Sequence, residues 1–438
     1  MRSGGLTKYA IEVMEEQSKS HEVFHLYPGN INLVNRSVKI RQKDFQKYRT
    51  INHFELVNSL PLPLFNGIKE PSYFIKSTEK KIYYNFLKSI NPEVIHIHTL
   101  MGIHKEFFEC AKDMGIRIIY TTHDYFGLCP TINLYNNKGN CDNYNSGLGC
   151  ASCCKNAFET KKLRLTQTNI YPYIKKLKKL KKLKKVSFSE ESIQTSFNSN
   201  IDSERGREYV DLRDFYIKIF NMVDYFHFNS KLAEEIFKKH LPGISGKVIS
   251  ITNASIKKKI AKKKKSNKIR IGYLGPRKEY KGFFFLMNAF KQLPKEQFEL
   301  HLYGDTLMLD VPDNVYLNGR YSTRDLEEIF SNIDVLVVPS LWKETFGFVG
   351  MEALSYGVPV IISSNVGSKD IVNSDIGWIY NAHCIDNLIQ LLLKLDKKII
   401  FEKADNINQK FKIINMFNHV NNIEDEIYRI SEGLKLEK

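Results

Sequence analysis

No stretch of this 438-residue chain reaches the roughly 18 consecutive apolar residues that a membrane-spanning helix requires. The opening Met1-Arg-Ser-Gly-Gly5 lacks the apolar segment of a secretory signal, so a cytoplasmic location is expected. No Asp-x-Asp triplet occurs anywhere, which argues against a metal-chelating carboxylate pair and for chemistry without added magnesium. Internal repeats are also missing, beyond a general alternation of strand-like and helix-like segments. Hydrophobic residues make up 42%, which excludes a disordered chain, and the length suffices for two domains with sizeable cores.

Lys and Arg number 65 against 48 Asp and Glu, a formal charge of +17 that would attract polyanions or an anionic membrane face. Abundant Lys, Asn and Ile also fit an AT-rich coding sequence, so charge alone decides nothing. The most basic segment is 161–185, ending Ile174-Lys-Lys-Leu177-Lys-Lys-Leu180-Lys-Lys-Leu183-Lys-Lys185. On a helix, steps of three spread these apolar residues over half the circumference. Such a helix either lies on an anionic membrane surface or packs its leucines on its own domain. Nucleic acid is not an expected partner, because no aromatic residues interleave the run.

Seven cysteines are present, five of them between Cys129 and Cys154. Clustering of this kind fits a reducing compartment better than a secreted disulfide framework. The spacing of Cys129, Cys141, Cys150 and Cys153 could hold one tetrahedral zinc. Unligated thiols and redox or disulfide chemistry stay open beside that structural zinc.

The chain is organised around Asp334 to Ser364. Its ends, Asp334-Val-Leu-Val-Val-Pro339 and Val358-Pro-Val-Ile-Ile362, read as buried parallel strands. A helix between them should begin near Phe348, after Gly347, and stop at Gly357. The backbone N–H groups of Phe346, Gly347, Phe348 and Val349 would then offer an anion site at a strand's carboxyl end. Glu344 and Glu352, with seven residues between them, bracket that site and suit hydroxyls rather than phosphate. Phosphate flanked by hydroxylated groups describes a sugar nucleotide.

Glu344-Thr-Phe-Gly-Phe-Val-Gly-Met-Glu352, with Gly357-Val-Pro-Val and Gly367 after it, resembles the E-x7-E signature of retaining GT-B glycosyltransferases of family four. The resemblance implies an α/β architecture of two Rossmann-like, doubly wound domains facing across a cleft. It also implies that Glu344 contacts the donor sugar and Glu352 the ribose.

The same resemblance covers the loop Ser3-Gly4-Gly5-Leu6-Thr7, which places Gly5 at the donor, and by the family pattern a first strand of about ten residues should precede it. Either the start site is misassigned or the domain lacks a central strand, and the N-terminal domain is expected to be marginal without it. His123-Asp124 falls where related transferases carry an active-site histidine, and His98 ends the neighbouring strand as a weaker candidate.

Ile269 to Gly275 is a strand ending in glycine, and the loop after it carries Arg277 and Lys281 between Gly275 and Gly282, so both cations can face one diphosphate. The family pattern of an Arg and a Lys-Gly agrees. Gly304 ends the next strand and lets backbone approach the ligand.

Four parts follow: an acceptor domain over 1–255, a lysine-rich hinge over 256–268 with little to bury, a nucleotide-sugar domain over 269–400, and C-terminal helices over 401–438, the last crossing back. Residues 187–210 read as a polar loop, and Ser322 as the N-cap of a helix over 323–331.

The expected reaction moves a sugar from a nucleotide-diphosphate sugar to a glycan or lipid-linked glycan acceptor with retention, in cell-surface polysaccharide synthesis. The basic surface would sit on the inner face of the cell membrane. Two rivals use the same phosphate site. A nucleotide-sugar epimerase needs an acid and a base in the cleft. A non-catalytic scaffold would fit the missing strand and the Gly367-Ser368 pair, where the family often has two glycines.

Overall fold

The computed structural model describes residues 4–32, 34–63, 67–136, 139–142, 146–171, 203–305 and 310–429. In the first domain, β1 (Val23–Pro28) pairs in parallel with β3 (Ile51–Val57), and β2 (Lys39–Lys43) pairs antiparallel to the far side of β3. A separate parallel sheet runs β4 (Val94–Ile97), β5 (Arg117–Thr121), β8 (Tyr225–Phe228) and β9 (Gly246–Val248). The small hairpin of β6 (Tyr135–Asn136) and β7 (Gly139–Asn140) lies between β5 and β8 in sequence.

The three-stranded and four-stranded sheets share one apolar core. β1 and β4 are both edge strands, and Pro28 at the end of β1 closes on Gly102 just beyond β4. Every residue of β1 is only half-buried, although Leu26 and Ile95 still reach that core. Among the described residues neither β1 nor β4 has a ladder partner on its outer side.

The second domain is one parallel sheet in the order β12 (Val315–Leu317), β11 (Phe298–Tyr303), β10 (Ile269–Leu274), β13 (Val335–Val338), β14 (Val360–Ser363), β15 (Gly377–Tyr380). Strands β10 and β13 form its switch point, and ligands bind at the carboxyl ends there. Side chains alternate across this sheet as the pleat demands. Ile271, Tyr273, Val335 and Val337 enter the core under the Phe283–Phe290 and Ile385–Leu393 helices. Leu274 and Leu336 enter the opposite core with Phe330, Ala353 and Leu354. At the amino ends, the buried Arg270 guanidinium grips both oxygens of Asp334 at 2.7 and 3.2 Å.

The C-terminal segment crosses back as expected. A helix over Met416–Ile423 continues into a π turn over Glu424–Tyr428, and Arg117 donates to the carbonyls of Ile427 and Tyr428. A fourth apolar cluster joins the domains: Tyr9 and Val13, Ile251 and Ile256, Phe346 and Met351, Met416 and Val420.

Three expectations need correction. The hinge is not idle, because Ile256 and Ala261 are buried and Lys259 and Ala261 donate backbone N–H groups to Ser355 and Tyr356 of the second domain. Lys263 adds side-chain bonds to the carbonyls of Phe330 and Ile333. The polar stretch 187–210 is helical from Ser203, since Gly206 and Tyr209 extend the buried stripe of the Ser203–Phe220 helix. Ser322 does not cap its helix; that helix begins at Leu326, and Asp325 accepts from the Ser322 N–H at 2.7 Å instead. Of the basic segment 161–185, residues 161–166 belong to the Thr160–Thr166 helix and 172–185 lie outside the described residues. Among the described residues no helix is long and apolar enough to cross a membrane.

Candidate active site

Two loops at the carboxyl ends of β10 and β13 are locked together. Gly282 has φ +74°, and a Cβ there would lie 1.8 Å from the Pro339 carbonyl, so only glycine permits the contact. Leu341 and Trp342 both donate backbone N–H groups to the Tyr280 carbonyl, at 2.9 and 3.2 Å. Between these loops, Lys281 Nζ donates to Glu344 Oε1 at 2.7 Å, and Ser340 Oγ donates to Glu344 Oε2 at 2.8 Å. The Glu344 backbone is held as well, its N–H on the Asn365 carbonyl and its own carbonyl on the Gly367 N–H.

The helix after this loop starts at Phe348 and ends at Ser355, with Gly347 at φ +83° and Gly357 at φ +75°. No side chain caps its N-terminus, so its first amides remain available to an anion. Gly5 lies beside it: a Cβ on Gly5 would meet the Phe348 ring at 3.8 Å. Phe346, whose backbone N–H is the expected anion contact, is anchored by its side chain. Its ring is 2% exposed and belongs to the apolar cluster between the domains.

Glu352 is mostly buried, which raises its carboxyl above the usual range, and Lys8 from the first helix pulls it back. Lys8 is itself held by Asn253 and Ser255. Gly275 and Gly304 meet at the ends of β10 and β11, where a Cβ on Gly304 would lie 2.4 Å from the Gly275 carbonyl. A shallow pocket there is lined by Gly275, Arg277, Tyr303, Asp305 and Leu317. Arg277 thus faces the outer strands, its guanidinium 5.9 Å from the Phe284 ring centre, while Lys281 faces Glu344.

The first domain reaches this loop directly. Thr345 Oγ1 donates to the His123 carbonyl at 2.8 Å, and Ser230 Oγ donates to the Thr345 carbonyl at 2.5 Å. His123 Nε2 is 3.2 Å from His98 Nδ1, so the weaker histidine candidate stands beside the stronger. Behind them Thr121 Oγ1 joins His96 at 2.6 Å and His227 at 2.9 Å, and Tyr9 meets His419 at 2.8 Å. Motif reading missed His96, His227 and His419. Strand-end position signalled the first two, but nothing local marks His419, which arrives on the returning helix.

Burial keeps these imidazoles neutral. Desolvation lowers His98 and His419 to about 3 and His227 to about 4, and takes His96 and His123 well below 6.5. Buried Asp124 is pushed the other way, to about 6.

The cysteines do not assemble the expected zinc site. Among the described residues no three His, Cys, Asp or Glu side chains are grouped to hold a metal ion. Cys129 Sγ bonds Thr131 at 3.2 Å and Cys150 Sγ accepts from Arg213 at 3.3 Å, while burial lifts the Cys150 and Cys153 thiols to about 11 and 12. Cys141 is half-buried, its N–H on the Leu134 carbonyl, and lies within electrostatic reach of the Cys150 and Cys153 thiols.

Residues 255–412 match the model of the family described as glycosyl transferases group 1. An uncharacterized 41.2 kDa protein in the cps region of Klebsiella pneumoniae is 33% identical over 132 residues, 28% of this chain and 36% of that protein. An uncharacterized 42.6 kDa protein of the same region is 22% identical over 66% of this chain and 61% of its own length. The matches thus span less than two thirds of either relative. The structure of Anabaena Alr3699/HepE in complex with UDP superposes with a TM-score of 0.57 at 13% identity, covering 98% of this chain and 97% of that one. The chain has the GT-B fold that the sequence motifs imply.

Histidines buried neutral bind no proton in the fold, whereas the unfolded chain binds one on each below about 6.5. Stability should therefore be complete above pH 6.5 and fall as pH drops, by about 1.4 kcal/mol per pH unit for each such histidine. Urea titrations from pH 7.5 to 5 measure the slope, and His419→Gln should make it shallower by about one proton. A flat profile would contradict the buried cluster.

Proposed function

We propose that this protein is a retaining glycosyltransferase that moves a sugar from a nucleoside-diphosphate sugar to a hydroxyl of a glycan or lipid-linked glycan. The observation that carries the reading is the Lys281–Glu344 pair at 2.7 Å, held at the uncapped helix start and tied through Thr345 to His123. One cation, free amides and a carboxylate for sugar hydroxyls meet at the switch point of the second domain. The bound UDP of the Anabaena neighbour supports a nucleoside diphosphate as the ligand class.

As the bond between anomeric carbon and phosphate breaks, negative charge grows on the leaving diphosphate. Lys281 and the amides from Phe348 onward stabilise that charge, each such contact lowering the barrier by about 3 kcal/mol. Glu344 accepts from donor-sugar hydroxyls, and Glu352 from the ribose. Its two oxygens being engaged by Lys281 and Ser340, Glu344 acts as a hydrogen-bonding anchor rather than as a nucleophile. Retention then requires acceptor and leaving phosphate to share one face of the sugar, which His123 lines. Catalysis needs no divalent metal in this scheme, as the lack of Asp-x-Asp suggests.

The Klebsiella relatives encoded in a cps region support a role in capsule-type polysaccharide assembly, with the protein working in the cytoplasm at the inner membrane face. There the +17 charge favours an anionic, lipid-linked acceptor.

Thermal-shift screening against UDP-, GDP- and ADP-sugars should find one donor class that raises the melting temperature with concentration. With that donor, Lys281→Met and Glu344→Gln should each lower kcat about a hundredfold at little cost in stability. Variant rates within twofold of the wild type would contradict the roles. Turnover should survive EDTA, and full loss would contradict metal independence. Incubating donor alone separates the rivals: stereochemical inversion of the sugar points to an epimerase, and donor binding without any turnover to a scaffold.

A further inference from the structure

Trp342 stands between the domains, two residues before Glu344. Its indole meets Tyr280 edge-on at 6.0 Å on its own domain and Tyr125 edge-on at 6.5 Å across the cleft. Lys281 Nζ lies 5.1 Å from the centre of the same ring. The indole packs against the apolar core of the first domain, where Tyr125 is fully buried beside Phe237.

Two polar atoms in this pair are unanswered. Trp342 Nε1 and Tyr125 Oη are both buried, and neither has a hydrogen-bond partner among the described residues. Buried donors are paired in nearly every folded protein, and two orphans in adjoining rings beside a charged cleft suggest that a ligand completes them. Aromatic walls with a few converging polar groups are also how proteins bind small polar molecules. An N–H that only donates and an O–H that both donates and accepts match adjacent hydroxyls of a carbohydrate.

We propose that Trp342 Nε1 and Tyr125 Oη form a subsite for the acceptor's carbohydrate hydroxyls, gated by Lys281. The proposal rests on the glycosyltransferase reading. Tyr125 directly follows His123-Asp124 in the first domain, and Trp342 packs into that domain, so the pair belongs to the acceptor side. The Lys281 charge is committed to Glu344 and to the indole face. A diphosphate carries more negative charge than one carboxylate and draws Lys281 to itself. That movement frees Glu344 for the donor sugar and uncovers the indole for the acceptor. Donor binding thus opens the acceptor subsite.

The chain has only two tryptophans, so Trp378→Phe leaves Trp342 as the sole indole reporter. In the full-length variant, UDP, GDP or ADP that raises the melting temperature should also shift Trp342 emission as the cation leaves the ring. With that nucleotide present, millimolar methyl α-glycosides of glucose, galactose and mannose are added in turn. At least one should quench emission further and saturably, and Tyr125→Phe should weaken that glycoside about fivefold while nucleotide binding is unchanged.

Tyr125→Phe removes a hydroxyl that bonds nothing among the described residues, so its melting temperature should hold or rise. If no nucleotide raises the melting temperature, the donor reading fails and the subsite with it. A melting rise without any emission change, glycoside quenching that ignores the nucleotide, or quenching that ignores Tyr125→Phe overturns the subsite alone.

Discussion

One ion pair organises this molecule. Lys281 leaves the loop after β10 and Glu344 the loop after β13, and their contact is possible because Gly282 lets the first loop lie against Pro339. Everything near the pair depends on that closure: Ser340 fixes the second carboxylate oxygen, Tyr280 takes two backbone N–H groups, and the helix from Phe348 is aimed by Gly347. A partly buried cation and anion at this distance restrain each other strongly, yet either can be exchanged for a ligand of higher charge. Pairing of that kind suits a site that must hold its shape and still bind diphosphate.

The first domain is fitted to the same loop. Thr345 and Ser230 tie the Glu344 segment to the strand ends that carry His123, and Phe346 buries its ring among residues from both domains. The returning C-terminal helix adds Met416, Val420 and His419 to that junction, so the two domains are held by one shared apolar cluster. Such a junction also explains the buried imidazoles. Strand ends that point at a ligand carry polar side chains, and covering them with the helix leaves them neutral and hydrogen-bonded rather than charged.

Much of the second domain was legible because its signals are local. Gly347 and Gly357 bound the helix they were expected to bound, and the apolar runs at 269–274, 335–338 and 360–363 are the strands they resembled. The sequence paired Lys281 with Arg277, whereas in the fold Lys281 meets Glu344 across neighbouring strand ends and Arg277 turns toward Phe284. What escaped was long-range. Phe346 was read for its backbone N–H alone, and only the first domain makes its ring a core residue. Trp342 and Tyr125 carried no motif, and His419 gained meaning only from a contact 410 positions away in sequence. The cysteine spacing suggested a metal, but spacing cannot tell which thiols turn inward to Thr131 and Arg213. The hinge misled for a related reason: lysine-rich sequence hid backbone bonds and two buried apolar side chains that strap it to the second domain.

The central claim is that Lys281 and the amides at Phe348 grip a diphosphate together. A crystal structure with a bound nucleoside diphosphate tests it most directly. The account predicts a phosphate oxygen within about 3.2 Å of Lys281 Nζ and of a first-turn amide of the Phe348 helix, with the Glu344 contact released. A diphosphate bound elsewhere, with Lys281 still on Glu344, would contradict it.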